Sequence, residues 1–61
     1  SADAHNNLAA ALAQMGRTSE AIEQLKAALR IKPYDTDTRK NLTKLEEVQK
    51  STPANKDPSK Q

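Results

Sequence analysis

Residues 16–33 read GRTSEAIEQLKAALRIKP, and this segment carries the clearest helical pattern of the chain. Its apolar residues recur three and four positions apart, which is the period of an amphipathic helix. They are Ala21, Ile22, Leu25, Ala28 and Leu29. Thr18 is the predicted N-cap, and Pro33 ends the segment because proline cannot continue a helix. The stretch therefore predicts a helix over residues 19–31.

A preceding helix is predicted over residues 3–15. Leu8, Leu12 and Met15 follow the helical period, and the many alanines around them favour helix. Ser1 or Asp3 can cap its start. Its end is marked by the only glycine of the chain, at a position that suits the left-handed conformation found after many helices.

The link between these two helices is only three residues long, which favours an antiparallel hairpin. Small residues on the facing sides would let the two axes approach closely; they are Ala9, Ala13, Ala21 and Ala28. A third helix is predicted over residues 36–50, with Asp35 as its N-cap. Its apolar stripe is thin and consists of Leu42, Leu45 and Val48. Residues 51–61 hold two prolines and almost no apolar bulk, so we expect a disordered tail there.

The fold class predicted from these segments is all-α: a helical hairpin and a third helix forming one unit over residues 1–50. The whole chain has 61 residues, a net charge of +2 and no cysteine. Without cysteine it forms no disulfide and offers no thiolate for structural zinc. The sequence also contains no apolar run long enough to span a membrane. A single aromatic residue, Tyr34, argues against a surface that stacks on nucleic-acid bases. Because the core is so small, we expect the folded state to need stabilisation by contact with another protein surface.

The hairpin resembles the tetratricopeptide repeat, a 34-residue pair of antiparallel helices. The matching residues stand at set positions of that repeat: Leu8, Ala9, Gly16, Ala21, Ala28 and Pro33. Leu12 and Leu25 occupy places where aromatic residues are common in the family, and His5 stands where tryptophan is common. Counting back from the closing proline, the repeat covers residues 2–35. The residues expected to carry the fold are Leu8, Leu12, Ala21, Leu25, Ala28 and Leu42.

The third helix resembles the solvating helix that closes an array of such repeats. The resemblance then implies that the chain is the end of a longer array, or a minimal piece of one. One repeat cannot bury both of its faces. We therefore expect an exposed apolar edge on the N-terminal side of the hairpin, which would be a sticky surface.

The resemblance also implies a function. In this family the first helix of each repeat lines a concave groove that holds peptides, so the expected function is a protein–protein interaction scaffold without catalysis, metal or cofactor. The partner-binding residues carried over are Asn6, Asn7, Ala10, Gln14, Lys40, Asn41 and Lys44, with Asp3, Ala13 and Asp37 beside them. The plain alternative is that these residues form a solvated helix face.

Two other functions remain open from the sequence. Self-association is the first, because unmatched repeat faces can stack on another copy, or the hairpin can open and exchange helices. A helix-turn-helix that binds DNA is a more distant one. It would place Glu20 and Glu23 near the start of the recognition helix, where their carboxylates would face the DNA phosphates. This is unfavourable because like charges repel. His5 has no second histidine or cysteine beside it, and packing at the helix edge is expected instead of metal binding.

Overall fold

The structure is a computed structural model, and it describes residues 1–51. It contains three helices: α1 over Ala2–Gln14, α2 over Thr18–Ile31 and α3 over Thr36–Ser51. The predicted all-α hairpin with a third helix is confirmed, and every helix begins and ends within one residue of the predicted bounds. Ser51, where the predicted tail begins, is the last residue of α3. The rest of that tail lies outside the described residues.

The turn after α1 explains the glycine at position 16. Gly16 has φ +80°, the left-handed conformation that glycine adopts without strain. Its N–H donates to the carbonyl of Ala13 at 3.0 Å, and the N–H of Arg17 donates to the carbonyl of Leu12 at 2.9 Å. This pair of bonds is the Schellman motif, which satisfies carbonyls left open at a helix end. At the other end of α1, the Ser1 hydroxyl accepts from the N–H of Ala4 at 3.2 Å, as predicted for a cap.

The predicted N-cap of α2 is wrong. Thr18 is the first residue of the helix, and Arg17 is the capping residue without a side-chain hydrogen bond. The physical reason is that the Arg17 carbonyl already accepts the first helical bond, from the N–H of Ala21 at 3.0 Å. The guanidinium of Arg17 instead pairs with Glu20, with Nη2 donating to Oε2 at 3.0 Å.

The connection between α2 and α3 follows the prediction. Lys32 has φ −128° and ψ 83°, outside the helical region, as expected for a residue before proline. Asp35 then caps α3, because its Oδ1 accepts from the N–H of Thr38 at 3.4 Å. The three helices are thus joined by two short, hydrogen-bonded turns.

The core is small and lies where α1 and α2 meet. Its cluster consists of Ala9, Leu12, Ala21 and Leu25, and Ala28 and Ile22 are buried nearby. Of the six residues expected to carry the fold, Leu12, Ala21, Leu25 and Ala28 are confirmed as buried, and Leu42 is half-buried against the cluster. Leu8 is the exception, since 46% of it is exposed. It is turned about 100° around α1 from the buried Ala9.

The buried side of α3 is shifted from the predicted stripe. Leu42 and Leu45 are half-buried against the core, but Val48 is 43% exposed. The shift arises because polar residues occupy the ends of the packed side. Thr38 is only 1% exposed, and Nε2 of Gln49 donates to Oγ of Ser19 on α2 at 2.6 Å. The packed side of α3 is therefore anchored at both ends by hydrogen bonds and in the middle by two leucines.

Candidate functional site

A groove of about 200 Å³ lies between α1 and α3. Side chains of all three helices line it: Asn6, Ala9, Ala10, Ala13, Leu25, Asn41, Lys44 and Leu45. We call it the α1–α3 groove. A second, more open depression lies over the loop of residues 32–35. The α1–α3 groove is the stronger candidate because it combines an apolar floor with a few polar groups, as binding sites usually do.

The wall on α1 is made of alanines. Ala9, Ala10 and Ala13 carry no atoms beyond Cβ, so this side of the groove is close to the helix backbone and has room for a foreign side chain. The buried Leu25 of α2 and the half-buried Leu45 of α3 are the larger apolar residues of the lining. The space therefore results from small residues on one helix facing larger ones on the others.

A polar network joins α1 to α3 at one end of the groove. Nδ2 of Asn6 donates to Oγ1 of Thr38 at 2.9 Å. That hydroxyl lies 2.9 Å from Oδ2 of Asp35 and 3.1 Å from Oδ1 of Asn6, but it has a single hydrogen. We assign the hydrogen to Asp35, since a carboxylate is the stronger acceptor. Oδ1 of Asn6 is then left to accept from a ligand.

The same network changes the pKa of the Asp35 carboxyl group. The Thr38 hydroxyl, followed by the Thr38 amide, donates to the carboxylate and lowers the pKa of Asp35 below its ordinary value of 3.8. Hydrogen bonds to the charged form favour that form. Asp35 therefore stays ionised further into acid than an ordinary aspartate, and its hydrogen bonds with Thr38 hold the start of α3 in place.

The charge of the groove comes from α3. Lys44 is the charged residue of the lining, and Lys40 is exposed one turn earlier. Within residues 1–51, the ion pairs join Arg17 to Glu20 and Lys26 to Glu23, both of which lie at or within α2. The ammonium group of Lys44 is thus not committed to an ion pair inside the described part of the chain. It can meet a carboxylate of a ligand.

A model of the tetratricopeptide repeat family matches residues 2–35, which is more than half of the chain. The chain belongs to this family. The match has the bounds predicted by counting back from Pro33, so that prediction is confirmed. Comparisons with curated proteins and with solved structures returned no match. Tetratricopeptide repeats are protein-interaction modules without catalytic chemistry of their own, and protein partners follow from that membership.

The residues that the resemblance implied for partner binding fall into two groups in the repeat. Four of them line the α1–α3 groove: Asn6, Ala10, Asn41 and Lys44. The other three, Asn7, Gln14 and Lys40, are exposed on the same two helices outside the lining. Sequence reasoning missed the part played by Thr38. Its signal was present, since it lies one helical turn before Leu42 on the packed side of α3.

His5 and the loop tyrosine have simpler surroundings. Nδ1 of His5 is 2.7 Å from Oε1 of Gln24, so His5 donates across the hairpin from its half-buried position at the helix edge. Tyr34 is 92% exposed in the loop before α3.

Among residues 1–51 no group of histidine, cysteine and carboxylate side chains is placed to hold a metal ion. None of the three helices is long and apolar enough to cross a membrane.

The side of α1 away from the groove is apolar and uncovered in the repeat. Leu8 is 46% exposed and Met15 is 60% exposed, and Ala4 and Ala11 between and beside them are also exposed. These four residues are spaced four, three and four apart, so they form one line along the helix. We call this line the outer stripe.

Proposed function

We propose that this repeat binds a protein partner by holding a short segment of it in the α1–α3 groove. One observation supports the proposal above others: an apolar floor between α1 and α3 is flanked by the ammonium of Lys44 and the amide of Asn41. A groove with these groups suits a segment that carries an aliphatic side chain next to a carboxylate. The aliphatic group would fill the space beside the alanines, and the carboxylate would meet Lys44.

The amides give such a segment further partners. Asn41 has both a donor and an acceptor, and Oδ1 of Asn6 accepts while its Nδ2 holds Thr38. An extended peptide offers both kinds of backbone group, so the two asparagines can bind backbone without selecting a side chain. In this proposal Asn7, Gln14 and Lys40 contact the parts of the partner that extend beyond the groove.

The probes that test this are two short peptides that differ in charge alone. One carries a leucine flanked by glutamates, and the other carries the same leucine flanked by lysines. Amide shifts of the isotopically labelled chain are followed by NMR during titration. With the glutamate peptide we expect the shifts to concentrate at residues of the groove lining, above all Ala10, Ala13, Asn41 and Lys44. With the lysine peptide the shifts should be much smaller.

Charge reversal provides the matched pair of variants. Lys44→Glu should weaken binding of the glutamate peptide by roughly twofold to tenfold, as expected for an exposed ion pair turned into a repulsion. Lys50→Glu makes the same change on an exposed residue in the last turn of α3, outside the groove lining, and should leave the affinity unchanged. Shifts confined to other surfaces, or an equal loss in both variants, would refute the proposed groove.

A further inference from the structure

We propose that Ala13 sets the size of the side chain that the α1–α3 groove accepts, and that the groove holds one aliphatic side chain of about leucine size. This inference rests on the proposed function, since it concerns the same groove and the same acidic segment of the partner. It adds which residue of the repeat selects for a leucine in that segment.

The three alanines that line the groove differ in burial. Ala9 is 2% exposed and belongs to the core cluster, so its Cβ is already covered by the protein. Ala10 is exposed, so atoms added there would extend into solvent. Ala13 is half-buried, packs against the core cluster and lines the groove. Of the three, Ala13 is therefore the position at which a larger side chain would occupy the groove itself.

The leucines of the lining leave the space beside Ala13 as it is. Leu25 is 2% exposed, and Leu45 is half-buried against the core cluster. Moving either one to fill the groove or to enlarge it would break apolar contacts that it already makes. The groove measures about 200 Å³. An apolar cavity of about 150 Å³ holds one benzene molecule, so this groove has room for one aliphatic side chain.

The width of the groove is held near both ends of α3. Nδ2 of Asn6 donates to Oγ1 of Thr38 at 2.9 Å near the start of that helix. Nε2 of Gln49 donates to Oγ of Ser19 at 2.6 Å near its end. Moving α3 outward to admit a larger ligand would lengthen one or both of these bonds and weaken them. The ligand must therefore fit the existing space.

Two peptides and two variants of the full chain test the inference. The peptides carry a leucine or an alanine between the same glutamates, and NMR titration gives a dissociation constant for each. The wild type should bind the leucine peptide about threefold to tenfold more tightly, because part of that side chain leaves water. In Ala13→Leu this preference should disappear, while the alanine peptide binds as it does to the wild type. Ala11→Leu makes the same change on the outer stripe and should keep the preference.

The stability of the chain without peptide gives an independent measurement. A leucine at position 13 should fill the apolar space and raise the urea midpoint of unfolding. Ala13→Met should raise it as well, because methionine adapts to irregular space. Ala11→Leu adds its side chain at an exposed position and should leave the midpoint nearly unchanged. A lowered midpoint in both variants of Ala13 would overturn the inference, because it would show that this position has no room for a side chain.

The outcomes separate this inference from the proposed function. If Ala13→Leu still prefers the leucine peptide as strongly as the wild type does, the groove binds peptides and the role of Ala13 is wrong. An equal loss of both peptides in Ala13→Leu would also overturn that role, since the substitution would then block the groove without regard to ligand size. If neither peptide shifts the groove residues of the wild type, the proposed function is wrong and this inference falls with it.

Discussion

Nδ2 of Asn6 in α1 donates a 2.9 Å hydrogen bond to Oγ1 of Thr38 in α3, thirty-two residues later in the chain. Thr38 is 1% exposed, and its hydroxyl donates a hydrogen bond to the carboxylate of Asp35, the cap of α3. Most of the packing of α3 is against α2. The bond from Asn6 therefore fixes the distance between the two helices that form the walls of the groove.

Replacing Thr38 tests this link. Thr38→Val keeps the shape of the side chain and removes the hydroxyl, which leaves Asn6 and Asp35 without their shared partner. We expect the free energy of unfolding to fall by about 1–3 kcal/mol, the usual effect of removing one partner of a buried hydrogen bond. Urea unfolding followed by circular dichroism measures it. Thr43→Val on the exposed side of α3 is the control and should change stability by less than about 0.5 kcal/mol.

Leu25 is the test of the core. It is 2% exposed, belongs to the core cluster between α1 and α2, and lines the α1–α3 groove. Leu25→Asp should unfold the chain, because it places an unpaired charge in a small core with few other contacts to compensate. The expected readout is loss of the helical circular dichroism spectrum. Leu8→Asp carries the same change at a half-exposed site and should keep the spectrum. A cooperative melt of the Leu25 variant would contradict the core described above.

Stability should depend on pH through Asp35. Its pKa is lowered in the folded chain by the Thr38 hydroxyl and amide, so the ionised carboxylate stabilises the fold. That contribution is complete above the ordinary value of 3.8 and is lost as the pH falls through the lower folded pKa. Urea midpoints of the wild type and Asp35→Asn should therefore differ at neutral pH and converge in acid. A difference that stays constant with pH would show that the carboxylate charge has no such role.

Substitutions at Gly16 separate the effect of backbone conformation on stability from the effect of side-chain packing. A Cβ added at this position meets no other atom within 4 Å, so a substitution there causes no clash. The left-handed φ of +80° remains, and Gly16→Ala should lower the free energy of unfolding by about 1 kcal/mol. Gly16→Asn should cost less, because asparagine tolerates this conformation. Equal stability of the glycine and alanine chains would mean that the turn relaxes to another conformation.

Much of the fold could be read from local sequence. The period of residues 19–31, the glycine at 16 and the proline at 33 mark the helix ends, because caps, turns and breakers act through their own backbone and near neighbours. Asp35 was identified as a cap on the same grounds. Thr18 was predicted as the cap of α2 in the same way, and that prediction is wrong, since the carbonyl that accepts the first bond of α2 depends on how the preceding turn closes.

The groove could be predicted from the family resemblance in outline only, in less detail than the helices and turns. Asn6, Ala10, Asn41 and Lys44 were expected on one surface, and they line the groove together. The floor residues Leu25 and Leu45 were not expected there. A leucine on an apolar stripe is expected in the core, where Leu25 is indeed 2% exposed, and the alanines of α1 leave the space that makes these two leucines the floor of a groove.

Local sequence specifies the three helices, their two turns and the repeat to which the hairpin belongs. These follow from periodicity and from residues with restricted or permissive backbones, whose effects extend over a few positions. The packing of the helices determines which apolar residues are covered, since Leu8 and Leu12 share a pattern and differ in exposure. It also decided that Thr38 joins Asn6 to Asp35, because that contact depends on the spacing of two helices distant in the chain.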